Sequence, residues 1–582
     1  MNHFSFNYDN SESCLENLNK LDIKNPQMFN PIHNKFFILN DNNYNNVLLN
    51  NNNKCIDIKE TISFNKYLCS IINKDKSPST KELSVFIKFA PILDPIKYMI
   101  GKYDFDNETN FKLPVFDSSN NTLKQNDANN TAYMDGFFCF LSSKLLNEYK
   151  FLNGIDYYGS YLANHNNMRI NIFEDIDFLN ESKDFHKYKN VNFTIDESFY
   201  DELSNYDSTD NKKKLKISKT GEKHDIDICD LDLKLDELDE LDELDNLNDI
   251  AENNSKVNDE TNHDIEIIDV SDISYGSINK SNSRSSSKCS SITCSSRSSY
   301  TESESDNEES GEESDEYSEE SEEEEEIEIF AYIKDFPVNI IMQEECQDTL
   351  DSYMLKGDLD ENEWESILLQ IIFTLIVYQK VFDFTHNDLH TNNIMYTNTD
   401  KQFLYYTYNS KTYKVPTFGK IWKIIDFGRA IFKFKGKLII SDSFSSEGDA
   451  SSQYNFQPYY NENKPLVPPN KSFDLCRLAC SLFDYFINCN IKLIKNRESC
   501  DNLQCLMLEW CEDDKKKNVL YKNNGEERYP EFKLYKMIAR TVHNHTPEKQ
   551  LDRLMFDKYR VSKKKLNKKV KIMNIDDYPS SI

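Results

Sequence analysis

The chain has 582 residues, enough for two ordinary domains plus substantial non-globular sequence. Its formal charge of −32 is concentrated, because residues 225–329 carry 36 acidic against 6 basic residues and the remainder is nearly neutral. A nearly neutral body lacks the basic stripe that displaces phosphate counterions, which argues against direct nucleic-acid binding.

The 14 cysteines form no CxxC pair, and the N-terminus lacks the basic, apolar, small-residue order of a signal peptide, so reduced thiols and a soluble, cytoplasmic chain are expected. The longest strongly apolar run, Ile367 to Val377, is too short for the ~20 residues of a membrane span, so no span is expected.

Residues 1–53 are crowded with asparagine and read as irregular. Residues 54–204 read as a β-rich unit, with strand-like runs at Val85 to Phe89 and Ile155 to Leu162 around a helix from Tyr133 to Tyr149. Residues 205–326 pass from a Leu-Asp-Glu repeat through a Ser-rich tract to an acidic run, a composition that cannot bury enough apolar area to offset chain entropy; disorder is expected. Its serines among carboxylates, such as Ser303 and Ser314, suit acidophilic phosphorylation, and a solvated spacer is the plainer alternative.

Two short runs, Ile327 to Ile333 and Pro337 to Gln343, read as a hairpin within a 327–346 segment. In residues 347–560, Trp364, Leu368, Ile371, Ile372 and Leu375 mark the apolar face of a buried helix, and Phe473 to Phe486 a second. Residues 561–582 form a basic tail. Strands first and helices after give an α+β chain in two lobes.

The chemistry lies in His386-Asn387-Asp388-Leu389-His390-Thr391-Asn392-Asn393, directly after the first helix, and in Asp426-Phe427-Gly428-Arg429. Here the chain resembles the protein-kinase superfamily, whose catalytic loop reads H-R-D-L-x-x-x-x-N and whose metal motif is D-F-G. That resemblance implies a bilobal fold, the β-rich lobe interrupted by the acidic insertion, and an enzyme moving the γ-phosphate of ATP with Mg²⁺ to serine or threonine hydroxyls of a protein substrate. It implies Asp388 as catalytic base and Asn393 and Asp426 as metal ligands. It further implies that Lys88, in Val85-Phe86-Ile87-Lys88, grips phosphate, and that backbone from about Glu344 to Cys346 meets the adenine. Asp135 and Glu148 both stand as partners for Lys88. Asp474 reads equally as a brace for the catalytic loop or as a helix-start acid.

Four departures bear on these implications. No glycine precedes Gly101, so the Gly-rich phosphate loop is missing; Asn387 replaces the usual arginine; His390 stands where lysine is usual, as in choline- and aminoglycoside-type kinases; and the Asp388 to Asp426 interval is long, leaving room for an extra hairpin within Phe403 to Val415. The Asn-rich, Gly-poor composition with these motifs resembles the serine/threonine kinases of giant DNA viruses, which implies a host-cytoplasmic site. A pseudokinase that only binds and a small-molecule kinase remain alternatives. Oligomeric state is not legible.

Overall fold

The computed structural model describes residues 6, 8–9, 13–73, 80–116, 124–196, 328–357, 359–487, 497–522, 525–530, 532–567 and 569–580. The expectations of disorder and phosphorylation for the 205–326 insertion lie outside the described residues. The described chain is mixed α+β, with strands dominating up to Glu344 and helices concentrated after it.

Seven strands build one antiparallel sheet. Six of them are β1 (Ile23–Gln27), β2 (Asn53–Ser63), β3 (Lys66–Asn73), β4 (Thr80–Pro91), β5 (Tyr157–Asn171) and β6 (Phe330–Glu344), in the order β1-β5-β6-β4-β3-β2, and Phe193–Ile195 also pairs with β6. The sheet curls until β2 approaches β5, and Arg169 of β5 stacks 4.6 Å from the Phe64 ring at the β2–β3 turn. Inside the curl, Val85 and Ile87 of β4 pack with Cys69, Ile71, Ile340 and Met342. Because strand side chains alternate, Lys88 then points to the other face.

The hairpin expected between Ile327 and Gln343 is instead one continuous strand, β6, of 15 residues. Both of its halves pair with β5 in a single antiparallel ladder, from Phe330 opposite Asn171 to Gln343 opposite Tyr157. A turn back would strip half of β5 of its hydrogen-bond partners; Asp335 takes φ +52° while the register stays the same on either side of it.

The Asn-rich N-terminal segment also carries structure. Ile23 of β1 pairs with His165, and the Asn45 side chain accepts from the amides of Met28 and Phe29 at 2.8 and 2.9 Å. Its asparagines thus satisfy backbone groups in a segment with few apolar periodic positions.

Four helices carry most of the other core: α1 (Thr131–Tyr149), α2 (Glu361–Phe382), α3 (Phe473–Ile487) and α4 (Phe532–Thr541). In α1, residues 132–145 are buried on every face, as befits a helix sandwiched between sheet and helical half. Helix α2 starts where Asp360 accepts from the amide of Glu363 and stops where Asp383 turns left-handed. It is longer than the apolar run read from sequence. At 22 residues α2 is long and apolar enough to cross a membrane, but 89% of its apolar window is buried inside the fold.

After α2 come β7 (Ile394–Asn398), β8 (Phe403–Tyr408), β9 (Lys411–Pro416) and β10 (Lys420–Ile424). Strands β8 and β9 are the extra hairpin, turning at Asn409 and Ser410, both with positive φ. Arg560–Val561 and Met573–Asn574 extend that hairpin into a four-stranded sheet, so part of the C-terminal segment is pinned to it.

Candidate active site

The pairing of β7 with β10 brings the two sequence motifs together. Ile394 lies opposite Ile424, and the amide of Ile425 donates to the carbonyl of Asn393 at 3.0 Å. The hairpin β8–β9 is looped out of this register, so the long interval between Asp388 and Asp426 does not separate their ends.

The loop before β7 is braced from below. Asp474, buried at the start of α3, accepts from the amides of His386 (2.9 and 3.1 Å) and Asn387 (2.9 Å). Of the two readings for Asp474, the geometry selects the brace. His386 Nε2 donates to the carbonyl of Ile425 at 2.9 Å, tying the loop to the residue before Asp426. Asn387 and Asp426 hold φ at +67° and +61°, conformations that non-glycine residues adopt at a cost of about 1–3 kcal/mol. The Asn387 side chain offsets part of this by donating to the carbonyls of Thr385 and Arg429 and accepting from Tyr454.

Three charged groups meet on the other side of Asp426. Lys88 Nζ lies 2.8 Å from Asp135 Oδ2 and 3.1 Å from Asp426 Oδ1. Burial works against its charge, but the two carboxylates outweigh that and raise the Lys88 pKa. Asp135, and not Glu148, is therefore the partner of Lys88; Glu148 pairs with Lys144 within α1. Asp135 also accepts from the amide of Phe427 at 2.9 Å, so one carboxylate fixes both the lysine and the second motif.

Helix α1 is itself anchored so that Asp135 stays in place. The amide and hydroxyl of Thr131 donate to Asp442 Oδ1 at 3.0 and 2.7 Å. Gly428 passes so close that a Cβ there would lie 2.7 Å from Thr131 Cγ2, which accounts for glycine at this position.

Asp388 is buried. Burial pushes its carboxyl up, but Arg429, His390, Arg477 and a bond from Tyr535 together hold it below the usual carboxylate range. Its Oδ1 accepts from the Tyr535 hydroxyl at 2.8 Å, while Oδ2 lies 3.8 Å from Arg429 Nη1 and has no hydrogen-bond partner. Asn393 Nδ2 donates to the carbonyl of Asp388 at 2.9 Å and to His390 Nε2 at 3.1 Å. That fixes the amide so that Asn393 Oδ1 is left, buried and without a hydrogen-bond partner. Burial lowers the His390 pKa to about 4, so the ring is neutral, with its proton on Nδ1.

Among the described residues no group of three or more His, Cys, Asp or Glu could hold a metal. The oxygens present nevertheless fit a hard cation that takes only one or two protein ligands and completes its shell with phosphate and water, as Mg²⁺ does. Asn393 Oδ1 is an orphaned buried acceptor of that kind.

The adenine-side candidates sit at the end of β6. Glu344 donates its amide to the carbonyl of Asp156 at 3.0 Å, and its carboxylate pairs with Lys423 at 2.8 Å. Cys346 is buried, and burial raises its thiol pKa. The structure thus gathers Lys88 with Asp426, and Asp388 with Asn393, while Glu344 engages Asp156 and Lys423. Sequence reading missed Tyr535, Arg477 and Arg429 as neighbours of Asp388. Only Arg429, beside the D-F-G motif, left a local signal.

No family model matches the chain. Mouse serine/threonine-protein kinase haspin is 35% identical over 101 residues, 16% of this chain and 13% of haspin. These partial matches point to a kinase-like relationship. A Dictyostelium discoideum protein, provisionally named a serine/threonine-protein kinase, is 31% identical over 101 residues, 16% of this chain and 8% of its own length. One from Acanthamoeba polyphaga mimivirus, also provisionally so named, is 40% identical over 74 residues, 12% of this chain and 19% of its own. The similarity therefore spans less than a fifth of the length of each of these three relatives.

Proposed function

We propose that this chain is an ATP- and Mg²⁺-dependent phosphotransferase of bilobal kinase fold that phosphorylates serine or threonine hydroxyls of a protein. The observation that carries the reading is two orphaned buried oxygens, Asp388 Oδ2 and Asn393 Oδ1, in a loop tied through the Ile425 amide to the chain next to Asp426, itself ion-paired with Lys88. Buried acceptors without partners are costly, and a site that receives a hydroxyl proton and a cation accounts for both.

In this reading Asp426 and Asn393 hold the metal, and Lys88 contacts the phosphates. Bound nucleotide supplies the phosphoryl group, and the metal offsets its developing negative charge. Asp388, kept ionised by Arg429 and Arg477, orients the acceptor hydroxyl and takes its proton at Oδ2. The neutral His390 keeps its Nδ1 proton directed away from Asn393, available as a donor to the transferred group. Backbone from Glu344 to Cys346 lines the adenine end in the same scheme.

One observation favours a binding module instead. The β2–β3 connection is only Phe64 and Asn65, so it lacks the Gly-rich loop whose backbone covers triphosphate. The discriminating experiment offers radiolabelled ATP with generic basic and acidic protein substrates and, separately, with choline-like alcohols. Label in protein alone supports the proposal, label in the alcohols alone reassigns the substrate class, and nucleotide binding without transfer to either supports the module.

A further inference from the structure

The Tyr535 hydroxyl on the proposed base has no counterpart in the sequence motifs. Tyr535 lies on α4, 147 residues from Asp388, and its hydroxyl donates to Asp388 Oδ1 at 2.8 Å. Arg477 Nε, on α3, donates to the same hydroxyl at 2.8 Å. Arginine has no acceptor, so the hydroxyl accepts from Arg477 and its single proton is directed to the carboxylate. The ring is wedged in place, with the guanidinium carbons of Arg477 and Arg429 at 5.2 and 5.9 Å from its centroid and Phe473 at 5.9 Å. At 2% exposure it does not share this bond with solvent.

We propose that Tyr535 is a positioning residue for phosphoryl transfer, pinning one oxygen of Asp388 so that the other is presented to the acceptor hydroxyl. The proposal rests on reading Asp388 as the base. A carboxylate on a single bond can rotate and exchange its two oxygens. With Oδ1 held by Tyr535, and Tyr535 held by Arg477, only Oδ2 remains without a hydrogen-bond partner, and orientation of this kind separates productive from unproductive encounters. A tyrosine acting as a removable plug would have to leave before substrate binds. The ring's burial between two guanidinium groups and Phe473 favours a fixed fitting instead.

The test compares the full chain with Tyr535→Phe, Asp388→Asn and the double variant. Expected for Tyr535→Phe are a kcat about tenfold lower, with a KM for ATP within about twofold of wild type and an unchanged melting temperature. Because Tyr535 acts through Asp388, the double variant is no slower than Asp388→Asn. An unchanged kcat in Tyr535→Phe overturns the proposal, as does a kcat loss matched by equal losses of nucleotide affinity and melting temperature. If Asp388→Asn itself keeps wild-type turnover, the base reading fails and the positioning role fails with it. If Asp388→Asn is inactive while Tyr535→Phe is untouched, the positioning role fails alone.

Discussion

Lys88 and Asp135, 47 positions apart in sequence, lie 2.8 Å from each other, and the same carboxylate receives the amide of Phe427 at 2.9 Å. One short acid thus links the sheet, α1 and the D-F-G motif. Replacing Lys88 with Met leaves Asp135 and Asp426 facing each other without a cation, which is expected to destabilise the fold by about 3–5 kcal/mol and abolish transfer. Asp135→Asn, which leaves Lys88 paired with Asp426, should cost only ~1 kcal/mol. Urea unfolding of the two variants measures the difference, and equal costs would argue against a shared cluster.

Asp474 accepts the backbone amides of His386 and Asn387 inside the core. Asp474→Ala strands both donors, and a loss of about 3 kcal/mol is expected from two charge-assisted bonds and their desolvation. Calorimetric melting checks this. A variant melting within a degree of wild type would show that the loop stands without its brace.

His390 titrates at about 4 in the folded chain because it is buried, against about 6.5 when unfolded. Between those values the unfolded state binds more protons, so the contribution is fully present above pH ~6.5 and declines as pH falls toward 4. At pH 5 the loss from this ring is about 2 kcal/mol. His33, lowered by burial to about 3, acts in the same direction. Denaturation midpoints at pH 7.5 and pH 5 should therefore differ less in His390→Asn than in wild type, and an identical pH slope would contradict a neutral buried ring.

Asn393 keeps its amide oxygen free by donating from nitrogen to Asp388 and His390. If that oxygen meets the metal, Asn393→Ala should raise the Mg²⁺ concentration for half-maximal transfer about tenfold. Titration of activity with Mg²⁺ reads this directly, and an unshifted curve removes Asn393 from the metal.

What the sequence made legible is what is local in it. The steps from His386 to Asn393 and from Asp426 to Arg429 need only neighbouring positions, and α2 and α3 announce themselves by helical periodicity. The Asp135 partner was one of two candidates because both lie on one helix, and only the packing of α1 against the sheet chooses. Tyr535 and Arg477 reach Asp388 from α4 and α3, and no spacing rule links such elements. The β6 misreading has a similar origin, since two short strand-like runs close in sequence look like a hairpin until β5 supplies the partner for both.

The central claim, that this site transfers phosphoryl groups, is tested most directly by incorporation of label from γ-³²P-ATP into added protein by wild type, Asp388→Asn and Asp426→Asn at saturating Mg²⁺. The account predicts transfer by wild type and a loss of at least about a hundredfold in each variant, with folding retained. Equal background in all three would contradict it.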